Sequence, residues 1–188
     1  MMDLQDTMRT AHSITDATSI KAGYRLMCSL FSAYDFPIFY RDDDPDPLDD
    51  FLQYSDEDIS ENLITLAAIT RACDDELGTL KDIEPNFPKG VGLLKLDGEK
   101  DQPLTIREAC NKIIHAKVVK YDFAWSDENP IWGKWYKDQG YDVRKKYKTP
   151  ALQLEGMNQS GKNWEARIEL VPFILAASMW DMWKWKLA

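Results

Sequence analysis

Three side chains that could carry chemistry share one stripe of one short helix. Arg107, Asn111 and His115 fall at i, i+4 and i+8 in the stretch Leu104-Thr105-Ile106-Arg107-Glu108-Ala109-Cys110-Asn111-Lys112-Ile113-Ile114-His115. That spacing lines a guanidinium, an amide and an imidazole along one edge of a helix. The helix itself is well signalled. Thr105 with Glu108 three residues on is a capping-box pattern, and Pro103 blocks extension backwards. Ile106, Ala109, Cys110, Ile113 and Ile114 form the apolar face. Glu108 and Lys112 make an i, i+4 pair. Such a stripe holds structure as readily as substrate. Asn111 can bond a neighbouring loop, and His115 can meet carbonyls at the helix C-terminus, where positive charge is welcome. Arg107 can pair with an acid of the N-terminal half. In particular, Asp74, Asp75 and Glu76 crowd the end of an earlier helix, where the dipole disfavours them.

Asn111-Lys112-Ile113-Ile114-His115 resembles the polar-x-x-x-His end of the motif of the HEPN superfamily. Those are helical domains of bacterial toxin–antitoxin and phage-defence systems, often metal-independent ribonucleases in which a dimer brings two motifs together. The resemblance implies that His115 serves as general acid/base, Arg107 as phosphate stabiliser and Asn111 as positioning residue. The family places an Arg directly before the polar residue. Here Cys110 stands there, and Arg107 is the nearest Arg. The resemblance covers one helix, and the layout otherwise resembles small bacterial proteins.

Other chemistries find no pattern. His12 and His115 with scattered Cys lack zinc-ligand spacing. There is no Gly-rich phosphate loop and no nucleophile elbow. Cys110 and His115, five residues apart on one helix, point about 140° apart, so they do not form a nucleophile–base pair. Asp42-Asp43-Asp44-Pro45-Asp46-Pro47 has the charge of a calcium loop, but Pro47 and Gln53 occupy the places where that loop needs Gly and Glu. No cofactor is expected.

Composition bounds the rest. The 188 residues, with seven Trp, eight Tyr and seven Phe, suffice for one domain with a sizeable core. Cys28, Cys73 and Cys110 are far apart and odd in number, so we expect reduced, mostly buried thiols in a cytoplasmic protein. No secretion signal or long apolar run is evident, which argues against a membrane protein. The net charge of −9 is divided unevenly, with −13 on residues 1–103 (9 Lys+Arg, 22 Asp+Glu) and +4 on residues 104–188 (14 and 10). The acidic half disfavours general nucleic-acid binding and suits a partner with a basic surface.

The elements around the stripe read as α+β. Residues 1–15 are polar and mixed, a frayed arm or a short helix. Helices are expected at 16–34, 56–77, 105–116 and 172–186, and antiparallel strands at 119–125, 151–157 and 163–170. The buried face of the first helix reads as Ile20, Gly23, Tyr24, Met27, Phe31 and Tyr34. Ser55 caps the second, with Ile59, Leu63, Leu66, Ala67, Thr70, Cys73 and Leu77 buried and Gly78 as the stop. Val91 to Leu96 suits a short strand. Val119, Tyr121, Phe123 and Trp125 alternate as a half-buried strand directly after His115. An acidic loop spans 35–54.

A long loop at 126–149 interleaves aromatics such as Trp132 and Trp135 with cations such as Lys145 and Lys146. Aromatics among cations can stack bases, so RNA is a possible ligand, but anchoring of the loop with solvated cations is the favoured reading. The hairpin around Asn158-Gln159-Ser160-Gly161 has two registers in play. One opposes Gly156 to Trp164 and Glu155 to Glu165, and the other opposes Leu154 to Trp164. The closing helix starts with Pro172 in its first turn and is apolar nearly all round, with Trp180, Trp183 and Trp185 close together. That predicts a homodimer or a hetero-complex through residues 172–188, with Trp132, Trp135, Lys145, Lys146, Trp183 and Trp185 as partner-binding residues. Two functions follow. One is a non-catalytic protein-binding component of an immunity, antitoxin or phage-defence system; the other is a HEPN-like ribonuclease.

Overall fold

The computed structural model describes residues 16–35, 49–128, 133–138, 140 and 144–178. They form an α+β fold of six helices and a five-stranded antiparallel sheet. The order is α1 (Asp16–Asp35), α2 (Asp49–Leu77), the short α3 (Leu80–Ile83), a 3-10 turn (Glu84–Asn86), β1 (Gly92–Leu96), β2 (Gln102–Pro103), α4 (Ile106–His115), β3 (Val118–Ser126), α5 (Gly133–Asp138), β4 (Lys145–Met157), β5 (Asn163–Glu169) and α6 (Leu170–Ser178).

The sheet order is β2-β1-β5-β4-β3, each neighbour antiparallel. One face meets the helices. Along β5, Trp164, Ala166 and Ile168 are buried and Asn163, Glu165 and Arg167 are exposed, the two-residue period of a strand covered on one side. Leu152 and Leu154 of β4 join the same core, with Phe173 of α6, Leu26 of α1, Ile59 and Leu66 of α2, and Ile106 of α4.

α1 buries a different stripe from the expected one. Ser19, Ala22, Gly23, Leu26, Leu30 and Ala33 face inward, while Ile20 (53% exposed), Tyr24 (70%) and Phe31 (64%) face out. Both stripes repeat at helical spacing, so periodicity could not choose between them. Close approach to α6 decides. A Cβ on Gly23 would lie 2.5 Å from Cβ of Ser178, so this helix crossing needs small residues on α1.

α2 begins before Ser55. It starts at Asp49, so residues 49–54 belong to the helix and not to the acidic loop. Residues 36–48 of that loop lie outside the described residues. Ser55 is interior to the helix. The expected stripe is buried from Ile59 to Cys73, whereas Leu77 is exposed. Gly78 ends the helix at φ 61°, a conformation that glycine adopts without penalty. Cys73 and Cys110 are buried, and Cys28 is exposed.

The 126–149 stretch is not loop throughout. Gly133–Asp138 is helical, and β4 starts at Lys145, opposite Ser126 of β3. Lys148 is therefore a strand residue, buried to 5% exposure against Tyr121 and paired with Asp56 of α2. The expectation of uniformly solvated cations there is overturned. β3 is also less covered than expected. Tyr121 is partly buried, but Val119, Phe123 and Trp125 are exposed, as befits an edge strand of the sheet. The hairpin takes the register that opposes Gly156 to Trp164. α6 starts at Leu170 and contains Pro172, and Phe173, Ala176 and Ala177 are buried as expected. Residues 1–15 and 179–188, with the predicted helix extension to 186, lie outside the described residues.

Candidate functional site

α4 sits where its sequence puts it. Thr105 accepts from the Glu108 backbone N–H and Glu108 caps back, so the capping box is formed. Ile106, Ala109, Cys110 and Ile113 are buried, and Ile114, at the edge of that face, is exposed. α4 packs against the C-terminal part of α2, which brings the polar stripe alongside α2's acids.

Arg107 donates one guanidinium arm to Asp74 and the other to Asp75 at 2.5 Å. The hydrogen bond to Asp75, then that to Asp74, raises the Arg107 pKa above its ordinary value. The same contact holds the Asp75 carboxyl below the usual carboxylate range. Arg71 bridges both helices. Its Nε donates to Asp75 at 3.1–3.2 Å, and its Nη1 donates to the Asn111 carbonyl oxygen. Asp74 also accepts from the Leu80 backbone N–H at 3.0 Å, fixing the turn after α2. The acid crowding at the end of α2 is thereby answered by two arginines.

His115 is two turns along from Arg107, about 12 Å on the helix axis, and is exposed in the last turn. The geometry therefore joins Arg107 and Asn111 to α2 through Asp74, Asp75 and Arg71, and leaves His115 facing solvent. Cys110 points the other way, into the core, where burial pushes its thiol up to about 12. Lys112, on the outer side of α4, has its Nζ 4.6 Å from the Trp164 ring centroid, and partial burial lowers its pKa.

Of the expected partner-binding residues, Trp135, Lys145 and Lys146 are among those described. Trp135 is exposed on α5. Lys145 lies in β4, and Lys146 has its Nζ 4.8 Å from the Phe123 ring. Trp132, Trp183 and Trp185 lie outside the described residues. Among the described residues, no group of three or more His, Cys, Asp or Glu is placed to hold a metal ion, and no helix is long and apolar enough to cross a membrane.

Two surfaces were not anticipated. The first is the outer stripe of α1, with Ile20, Tyr24 and Phe31 exposed and Met27 partly buried between them. Its 4-3-4 spacing is as regular in the sequence as that of the stripe the helix buries. The second is the helix-free face of the sheet. There Asp122 accepts from Gln153 at 2.6 Å and from Arg167 at 3.2 Å, Lys120 pairs with Glu155, and Lys95 lies 3.9 Å from Glu165. A shallow concavity of about 290 Å³ opens among Leu93, Lys95, Gln153, Glu165 and Arg167. The alternation of charged residues in β4 and β5 was its only sequence signal. No protein-family model, curated protein or solved structure matches the chain.

Proposed function

We propose that the chain is a non-catalytic interaction protein that docks a protein partner, in the role of an immunity, antitoxin or phage-defence component. One observation carries the reading: the exposed row of Ile20, Tyr24 and Phe31 on α1. Large side chains repeating at 4 and 3 residues form a seam that a partner helix fits. Aromatic anchors of this kind supply most of the energy at protein interfaces. Beside the row, α2 exposes Glu57, Asp58 and Glu61, with Asp58 accepting from Ser29 of α1. The partner is therefore a protein with an apolar helical stripe and basic flanks.

The polar stripe of α4 supports this reading over turnover. A guanidinium held by two carboxylates is poorly placed to receive a phosphate, because the site would have to give up both ion pairs first. The alternative, a HEPN-like metal-independent ribonuclease, draws support from the exposure of His115 one turn beyond Asn111.

The test is recovery of tagged chain from its native host. The expected result is a stoichiometric protein partner that is lost in the Tyr24→Asp/Phe31→Asp variant while circular dichroism and thermal unfolding are unchanged. Repeated recovery of the chain alone sinks the proposal. RNA cleavage that survives chelators and disappears in His115→Ala would establish the ribonuclease instead.

A further inference from the structure

The two edges of the sheet are built differently. One edge is β2, only two residues long and ending in Pro103, which has no N–H to offer. A short edge with proline resists strand addition. The other edge is β3, nine residues from Val118 to Ser126. Among the described residues, only β4 pairs with it. The irregularity between these two strands falls on β4, where Thr149, Pro150 and Ala151 together face Asp122 alone. β3 itself contains no extra residue, so its outer edge keeps a regular row of backbone donors and acceptors. No bulge of its own, the device that blunts exposed edges, interrupts it.

The side chains of β3 complement themselves. In an antiparallel pair of two copies with Tyr121 facing Tyr121 on a two-fold axis, Lys120 faces Asp122 of the second copy, and the same pairing occurs again by symmetry. On the other face, Val119 meets Phe123, and one step out Val118 meets Ala124. Shifting the axis to Asp122 opposes two carboxylates, and shifting it to Lys120 opposes two ammonium groups. Like charges directly opposite are destabilising, so charge rejects these two neighbouring registers, and the Tyr121 register is the one that sets Lys120 and Asp122 face to face. The large apolar members of this set are ones the single chain leaves open: Val118 at 39% exposure, Val119 at 48% and Phe123 at 42%. Facing residues share a sheet face, so the axis stands perpendicular to the sheet and the helices of both copies lie on one side.

We propose that the chain self-associates through β3, pairing it antiparallel with β3 of a second copy about Tyr121 to make a continuous ten-stranded sheet. Lys120 then lies between Glu155 of its own chain and Asp122 of the second copy. The contact is one strand pair wide, smaller than a standard interface, so the dimer forms at micromolar concentration or above and exchanges freely. It uses none of the residues of the α1 row, so the partner-docking reading and this one are tested by different variants and stand or fall independently.

The test uses the full chain in sedimentation equilibrium from low micromolar to several hundred micromolar. Wild type is expected to convert from monomer to dimer. Val119→Glu, which sets a carboxylate opposite Phe123, is expected to weaken association by about tenfold or more, equivalent to at least about 1.4 kcal/mol. Adding Phe123→Lys to it creates two facing Glu–Lys pairs and restores association, which a merely structural role for Val119 would not produce. Amide hydrogen exchange on the unmodified chain gives a second readout, with protection that rises with concentration in residues 118–126. A chain that stays monomeric at several hundred micromolar overturns the proposal. So does a dimer whose added protection falls in residues 172–188 or on α1, or one that Val119→Glu leaves intact.

Discussion

Raising the pH should unfold this protein partly through Cys110. The side chain is fully buried on α4 beside Ile106, Ala109 and Ile113, and burial moves its thiol from an ordinary 9.0 to about 12. Below pH 9 the thiol is protonated whether the chain is folded or not, and the fold keeps its full stability. Between pH 9 and 12 the unfolded chain releases the proton while the folded chain retains it, so stability falls as pH rises. The slope approaches about 1.4 kcal/mol per pH unit, or up to about 4 kcal/mol across the window. Tyr121, whose phenol burial also raises, adds loss of the same sign. The clean comparison is Cys110→Ala. At neutral pH it should be less stable by about 1 kcal/mol from lost packing. By pH 11 the wild type has given up about 3 kcal/mol through this thiol and the variant none of it, so the two stability curves should cross. Urea unfolding at pH 8, 9, 10 and 11 measures this. Parallel curves would show that Cys110 does not hold its proton in the fold.

Two further perturbations address the ion pairs. Arg107→Ala should lower stability at neutral pH, and the gap to wild type should close as pH falls below about 4. The reason is that Asp75 is held below its ordinary pKa chiefly by Arg107, and that contribution is lost as the folded carboxylate protonates; an unchanged gap at pH 2.5 in urea titrations would refute it. At Lys148, buried against Tyr121, Lys148→Met keeps the aliphatic stem and should cost less than about 1 kcal/mol, while Lys148→Ala should cost about 2–4 kcal/mol. Equal losses in thermal unfolding would assign the stability to the Asp56 ion pair instead of the stem.

The parts of the fold legible in the sequence are those decided by neighbours along the chain. The α4 capping box is one, since Thr105 and Glu108 interact within a single turn. The alternation of β5 is another. The link between the α2 acids and Arg107 was legible as a local conflict: three acids at a helix C-terminus need a cation, and Arg107 and Arg71 meet two of them, Asp74 and Asp75. The α1 face was not legible. Ile20, Tyr24 and Phe31 outrank Ala22, Gly23 and Ala33 in hydrophobicity, but the crossing with α6 selects for small size, and α6 lies about 150 residues away in the chain.

The hairpin register shows why such choices escape local reasoning. Taken alone, the β4–β5 pair should avoid opposing Glu155 to Glu165, yet that is the register adopted. The charges are met from outside the hairpin. Lys120 on β3 takes Glu155 from one side, and Lys95 on β1 approaches Glu165 from the other. Packing reinforces the choice. The Trp164 ring lies directly over Gly156, where any Cβ would come within 2.2 Å of it, so only glycine opposite the tryptophan lets the ring close on the backbone while Lys112 caps it. Two flanking strands and one helix therefore determine a register that the hairpin's own residues left open. The same logic makes the β3 edge informative: within one chain, Lys120 and Asp122 already have partners on β4 and β5, while Val119, Phe123 and Trp125 remain exposed. A neighbouring strand on that edge would cover the apolar side chains without uncovering the charges.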